Sequence, residues 1–182
     1  MTAFHPTAEL TVGPFFPREF GQGANDLTTL GGKPAQGRRI EIAGRVVQLD
    51  GNPLDNLVIE IWQADGQGIY RDAADPRFAD ADPDFLGWGR TATDRDGNYA
   101  FRTILPGARD GRAPHVNLLL LFSGLMHQLQ AVMFFAEAPA DPVYLSVPHA
   151  RRPLLVAMAD GPDRFRFDIR LRGDGETPFF DG

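Results

Sequence analysis

"RFRFDIRLR", residues 164–172, alternates without a break: Phe165, Phe167, Ile169 and Leu171 fall on one side, and Arg164, Arg166, Asp168, Arg170 and Arg172 on the other. Successive side chains of a strand point to opposite faces, so the segment reads as a half-buried antiparallel strand with one face in the core and one in water. Other segments repeat the period. In "RRIEIAGRVVQLD" (38–50), Ile40, Ile42 and Val46 share a face with Gly44. In "DNLVIEIWQAD" (55–65), Leu57, Ile59 and Ile61 do the same. "DRDGNYAFRTILPG" (94–107) reads as a hairpin, with Asp96-Gly97 at the turn and Tyr99, Phe101 and Thr103 on one face of the following strand. Two adjacent strands are expected at 115–122 and 129–135, and "HARRPLLVAMA" (149–159) suits a short helix.

Residues 1–37, rich in Pro and Gly, show no sustained period and read as an extended arm with one helical turn at "NDLTTL" (25–30). Residues 38–182 form one domain, with a long connection at 64–89. The fold class is all-β: a sandwich or barrel with an N-terminal arm and at most one or two short helices.

A chain of 182 residues buries a sizeable core without staples. It has no cysteine, which excludes disulfides, thiolate metal sites and Cys nucleophiles. A formal charge of −6 without a basic run argues against nucleic-acid binding. No apolar run reaches the length of a membrane span, and "MTAFHPTAELTVGPFFP" lacks the basic start and apolar core of a signal peptide, so the expected location is the cytoplasm.

Few residues can carry chemistry. "GQG" occurs twice without a following Lys, and no G-x-S-x-G elbow exists. The carboxylates of "RDAADPRFADADPDF" (71–85) do not follow an EF-hand's spacing and read as a solvated loop. In "RAPHVNLLLLF" (112–122), His115 and Asn117 point the same way from one strand. Two histidines there would clamp a metal; with asparagine second, the pair reads as a metal site, the relic of one, or an edge of the core. Tyr99 falls among packing residues, whereas Tyr70 closes a loop rim, where a phenol is harder to explain by packing.

Five ordered segments resemble the intradiol ring-cleavage dioxygenases: "LTVGPFFP", "LDGNPLDNLVIEIWQADGQGIYRD", "GWGRTATDRDGNYAFRTILPG", "RAPHVNLLLL" and "RFDIRLRGDGETPFFD". The resemblance implies a mixed-topology β-sandwich, and catalytic chains of that family hold non-haem ferric iron with two tyrosines and two histidines. Tyr70 stands in the place of the first tyrosine. The second follows "I-x-P-G-P-Y-P", where this chain reads "ILPGARDG". The family's "P-A-H-I-H" reads "A-P-H-V-N" here, keeping His115 and putting Asn117 in place of its partner. The resemblance therefore implies relic positions at Tyr70, His115 and Asn117 and no metal bound by this chain.

Both ends of the chain look like the alpha subunits of the family's hetero-oligomeric members, which open 3,4-dihydroxybenzoate. By that resemblance Fe(III) belongs to a partner beta subunit. The alpha arm, "T-x-G-P-Y/F", reaches the partner's active site, which implies substrate contacts from Thr11, Gly13, Pro14 and Phe15. Alpha chains often carry an arginine in the strand after the relic site; "LQAVMFF" (129–135) has Val132 instead, which leaves the catechol's ring substituents open. Two other readings stand beside this one: a prealbumin-like binding module, and a self-sufficient metalloenzyme using Tyr70, His115 and an outside ligand such as His127.

Overall fold

The computed structural model describes residues 16–180 apart from Gly124 and Met126. A short hairpin, β1 (Thr29–Leu30) with β2 (Lys33–Pro34), precedes the main strands β3 (Arg39–Val47), β4 (Val58–Trp62), β5 (Trp88–Ala92), β6 (Asn98–Ile104), β7 (His115–Leu121) and β8 (Leu129–Phe134). After these come one turn of helix, α1 (Pro142–Ser146), a 3-10 segment at His149–Leu155, and the short strands β9 (Met158–Ala159), β10 (Arg164–Arg166) and β11 (Ile169–Arg170). One sheet runs β5-β4-β7-β8, all antiparallel. The other is built on β3, with β6 on one side and β10 and β11 on the other.

The inner faces match the sequence periods. Ile40, Ile42 and Val46 of β3, Tyr99 and Phe101 of β6, and Phe165, Phe167 and Ile169 close on Leu57, Ile59 and Ile61, on Val116, Leu118 and Leu120 of β7, and on Met133 of β8. Each large apolar side chain buried here contributes about 1.5–3 kcal/mol relative to exposure.

Three local readings change. The turn at 94–98 forms, with Gly97 N–H donating to Asp94 O at 2.9 Å, but its flanking strands do not pair. β5 joins the β4 sheet and β6 joins the β3 sheet, so the turn crosses the sandwich instead of closing a hairpin. Residues 164–172 keep their expected faces, yet they run parallel to β3. They are also broken between β10 and β11, where the Asp168 carboxylate accepts Arg45 N–H at 3.0 Å in place of a backbone group. Gly44 allows this, because a Cβ there would lie 1.9 Å from the Phe167 carbonyl oxygen. That same oxygen accepts the Tyr99 hydroxyl at 2.6 Å, so Tyr99 is a packing residue with a satisfied polar tip.

The third change concerns the arm's second half. Ala24 bridges Arg90, Asp26 bridges Arg102, and Leu27 and Ala35 enter the core, so "NDLTTL" is bridge and strand with no helical turn. In "HARRPLLVAMA" the helix is 3-10 over His149–Leu155, as Pro153 lacks the N–H an α-helix would need. The α-helix lies earlier, where Asp141 caps Val143 and Tyr144 and Pro142 opens the first turn. Thr11, Gly13, Pro14 and Phe15 lie outside the described residues.

Candidate functional site: a closed tyrosine–histidine–asparagine cluster

β7 lies within its sheet, with Asn117 opposite Trp62 of β4 and Val132 of β8. Its core face carries Val116, Leu118 and Leu120, so His115 and Asn117 share the outer face, as the strand period requires. One end of that outer face is covered by α1, the 3-10 segment and the link between them, which pack Tyr144, Val147 and Leu155 on Val132 and Phe134. Val132 is thus part of an apolar cap.

Two loops complete the site. The 63–87 connection is held by buried carboxylates. Asp65 accepts the backbone N–H groups of Gln67, Ile69 and Asp82, and Asp82 accepts those of Gln36 and Asp84. Asp75 accepts Tyr70 N–H at 3.1 Å and Arg77 N–H at 3.0 Å. The solvated reading of this acidic stretch fails at Asp75 and Asp82, which are buried because backbone donors surround them. The second loop, 105–114, meets the first backbone to backbone: a Cβ on Gly107 would stand 2.5 Å from Gly68 N, and one on Gly68 would stand 2.1 Å from Ala108 O. This approach brings Arg109 over Tyr70, with its guanidinium carbon 4.9 Å from the ring centroid.

At the centre the Tyr70 hydroxyl lies 3.3 Å from His115 Nε2 and accepts Asn117 Nδ2–H at 3.0 Å. The same amide also donates to Trp62 O at 3.1 Å. His115 Nδ1 meets Ala113 O at 2.7 Å, so Nδ1 carries the proton and Nε2 faces the phenol as an acceptor. The Trp62 ring stacks on Tyr70 at 6.2 Å and remains partly exposed.

Two ion pairs frame the cluster: Arg109 Nη1 with Asp75 at 2.7 Å, and Arg112 Nε with Asp141 at 2.8 Å. Among the described residues, Arg112 Nη2 is a buried nitrogen without a hydrogen-bond partner. Burial holds the His115 imidazole below its ordinary value, and the Arg112 and Arg109 cations act in the same sense. Burial likewise pushes the Tyr70 phenol above its ordinary value, although Asn117 and the two arginines oppose it. Both groups are therefore neutral at pH 7.

The profile of a dioxygenase family matches residues 11–173. Over the whole of both chains this protein is 35% identical to the protocatechuate 3,4-dioxygenase alpha chain of Burkholderia cepacia. The chain belongs to the intradiol dioxygenase family. It is also 35% identical to the alpha chain from Pseudomonas putida, across 81% of this chain and 78% of that one. The beta chain of the Burkholderia enzyme is 34% identical across 88% of this chain and 76% of its own length. Among solved structures, an intradiol ring-cleavage dioxygenase from Tetranychus urticae superposes with a TM-score of 0.63, covering 89% of this chain and 92% of that one at 18% identity.

The family uses ferric iron, and the residues of this chain do not fit it. A ferric ion asks for anionic, lone-pair donors. Here the phenol is neutral and its proton points at His115 Nε2, so one hydrogen bond consumes the lone pair the imidazole would offer. Asn117 presents its N–H₂ to the centre, a donor where a ligand must accept. In "ILPGARDG" the place of the second tyrosine falls on Arg109, a cation. His127 lies beyond Leu121, the far end of β7, which is itself six residues or about 20 Å of strand from His115, so the fold does not deliver it as an outside ligand. Sequence reasoning found Tyr70, His115 and Asn117, which the structure brings together. It missed Arg109, Arg112, Asp75 and Asp141, whose signals were Arg109 in the place of the second tyrosine and two arginines in "ARDGRAPH" close to acidic segments.

Proposed function

We propose that this chain is the alpha subunit of a hetero-oligomeric protocatechuate 3,4-dioxygenase. It folds like the iron-bearing beta subunit and supplies a wall of that subunit's substrate pocket. The reaction opens the ring of 3,4-dihydroxybenzoate between its hydroxyl-bearing carbons, and both atoms of O₂ enter the product, 3-carboxy-cis,cis-muconate. One observation carries the reading: full-length similarity to an alpha chain coincides with a ligand cluster that has closed on itself.

In this reading the ferric ion belongs to the beta subunit, and the complex works in the cytoplasm. This chain's contribution is positional. Thr11, Gly13, Pro14 and Phe15 form the substrate wall on the arm, where Pro14 fixes φ and Gly13 permits close backbone approach to a flat ring. The Tyr70 cluster does no chemistry, because its proton donors and acceptors satisfy one another.

The test is co-expression with a beta-type partner that carries "P-Y-P" and "H-I-H", followed by oxygen uptake on 3,4-dihydroxybenzoate. The complex should consume one O₂ per substrate, and this chain alone should consume none. Turnover by the lone chain, or failure of the two chains to assemble, refutes the reading.

A further inference from the structure

The cluster is closed by a cation that no metal-binding pattern would place there. Arg109 is held from two sides: Asp75 grips Nη1 at 2.7 Å, and the Tyr70 ring lies under the guanidinium at 4.9 Å. Asp75 grips Tyr70 as well, through its backbone N–H, so one carboxylate fixes both the cation and the phenol below it. Asn117 donates to the phenol oxygen, and the phenol faces His115 Nε2. The phenol, the imidazole and the amide N–H₂ are each satisfied without any added ion, and the positive charge is paired with a carboxylate that is 2% exposed.

We propose that Arg109, clamped by Asp75, is the resident cation of this cluster, standing in for a metal and barring metal cations from Tyr70 and His115. A guanidinium over the aromatic face gains from the ring's quadrupole and is pre-organised by its carboxylate partner. In the same position it repels an incoming divalent or trivalent ion, an effect that Asp75 and, at 3.4 Å, Asp110 offset only in part, since charges at a few ångströms in a partly buried site are weakly screened. Asn117 removes one ligand, whereas Arg109 removes the electrostatic welcome. The two effects are separable. This inference uses the alpha-subunit reading only to explain why no metal is wanted; the exclusion itself rests on the geometry.

Cobalt(II) is the probe, titrated by its visible ligand-field bands into the protein as purified, with any partner and partner-held iron left in place. The signal is the increment over wild type. Asn117→His alone, which restores an imidazole while Arg109 remains, should bind no better than wild type. Asn117→His combined with Arg109→Gln should bind at least tenfold tighter. Combined instead with Arg109→Lys, which keeps the charge, it should again bind no better than Asn117→His. Circular dichroism establishes which variants fold, and Arg109→Met serves as the neutral variant if Arg109→Gln does not fold. Equal cobalt affinity with and without Arg109, including no binding by either, overturns the proposal, as does tight binding by the Arg109→Lys variant. An absent iron-bearing partner would undo the subunit assignment but would leave these differences between variants unchanged.

Discussion

Replacing Asp141 with alanine should destabilise the protein by about 3–4 kcal/mol and loosen the strand that carries His115. The Asp141 side chain is fully buried and accepts four hydrogen bonds. Oδ2 takes Arg112 Nε at 2.8 Å and Ala113 N–H at 2.9 Å, and Oδ1 takes the N–H groups of Val143 and Tyr144 at the start of α1. Loss of a helix cap costs about 1 kcal/mol. Breaking a buried ion pair costs about 3–5 kcal/mol, and the lower end applies because the Arg112 side chain is 24% exposed and can take up water. Asp141→Asn keeps an equally good cap and loses only the charge, so it should fall between alanine and wild type at about 2 kcal/mol. Urea unfolding of the assembled protein reads the difference. With a slope of roughly 2 kcal/mol per molar, the alanine midpoint should drop by about 1.5–2 M. An alanine variant within about 1 kcal/mol of wild type, or alanine and asparagine variants of equal stability, would refute the idea that one carboxylate ties α1 to the His115 strand.

Acid should weaken the protein in two stages. Burial lowers the folded-state His115 value, so its contribution is complete above the unfolded value of about 6.5 and is lost as pH falls toward the lowered one. Asp75 and Asp141 are held below the usual carboxylate range, and their contributions disappear below about pH 4. Melting temperatures at pH 7.5, 5.5 and 3.5 test this, and His115→Gln should flatten the upper stage alone. Gly44→Ala should cost about 3 kcal/mol or prevent folding, because its methyl would sit 1.9 Å from the Phe167 carbonyl oxygen; a normal melting curve would contradict the close crossing. In the assembled enzyme Thr11→Ala should lose about 1 kcal/mol of transition-state binding, several-fold in kcat/KM, and Gly13→Val should lose more, with iron content unchanged in both. Unchanged kinetics in both would mean that the arm has no part in the active site.

The strands were legible because burial on one face leaves a period of two in the sequence: Phe165, Phe167 and Ile169 are all in the core. Pairing partners were not legible. Nothing in "DRDGNYAF" distinguishes a turn that closes a hairpin from one that crosses between sheets, since both need the same Asp-Gly geometry. The orientation of residues 164–172 against β3 was hidden for a similar reason, as both parallel and antiparallel neighbours accept alternating side chains. At the site, Tyr70, His115 and Asn117 stood out by residue type and by the five-segment resemblance. The buried state of Asp75 and Asp82 did not, because a carboxylate that accepts backbone N–H groups is spelled no differently from one in water. Arg109 could be read only as a cation in the place of the second tyrosine; its contact with Tyr70 was hidden, because the two meet across loops that are remote in sequence.

The most direct test of the account is the iron stoichiometry of the purified complex and of each chain alone, read together with the visible phenolate-to-iron absorption. The account predicts one ferric ion per pair of unlike chains, coloured and wholly retained by the partner, with this chain colourless and iron-free after separation. A stoichiometric, coloured iron complex of this chain by itself would contradict it.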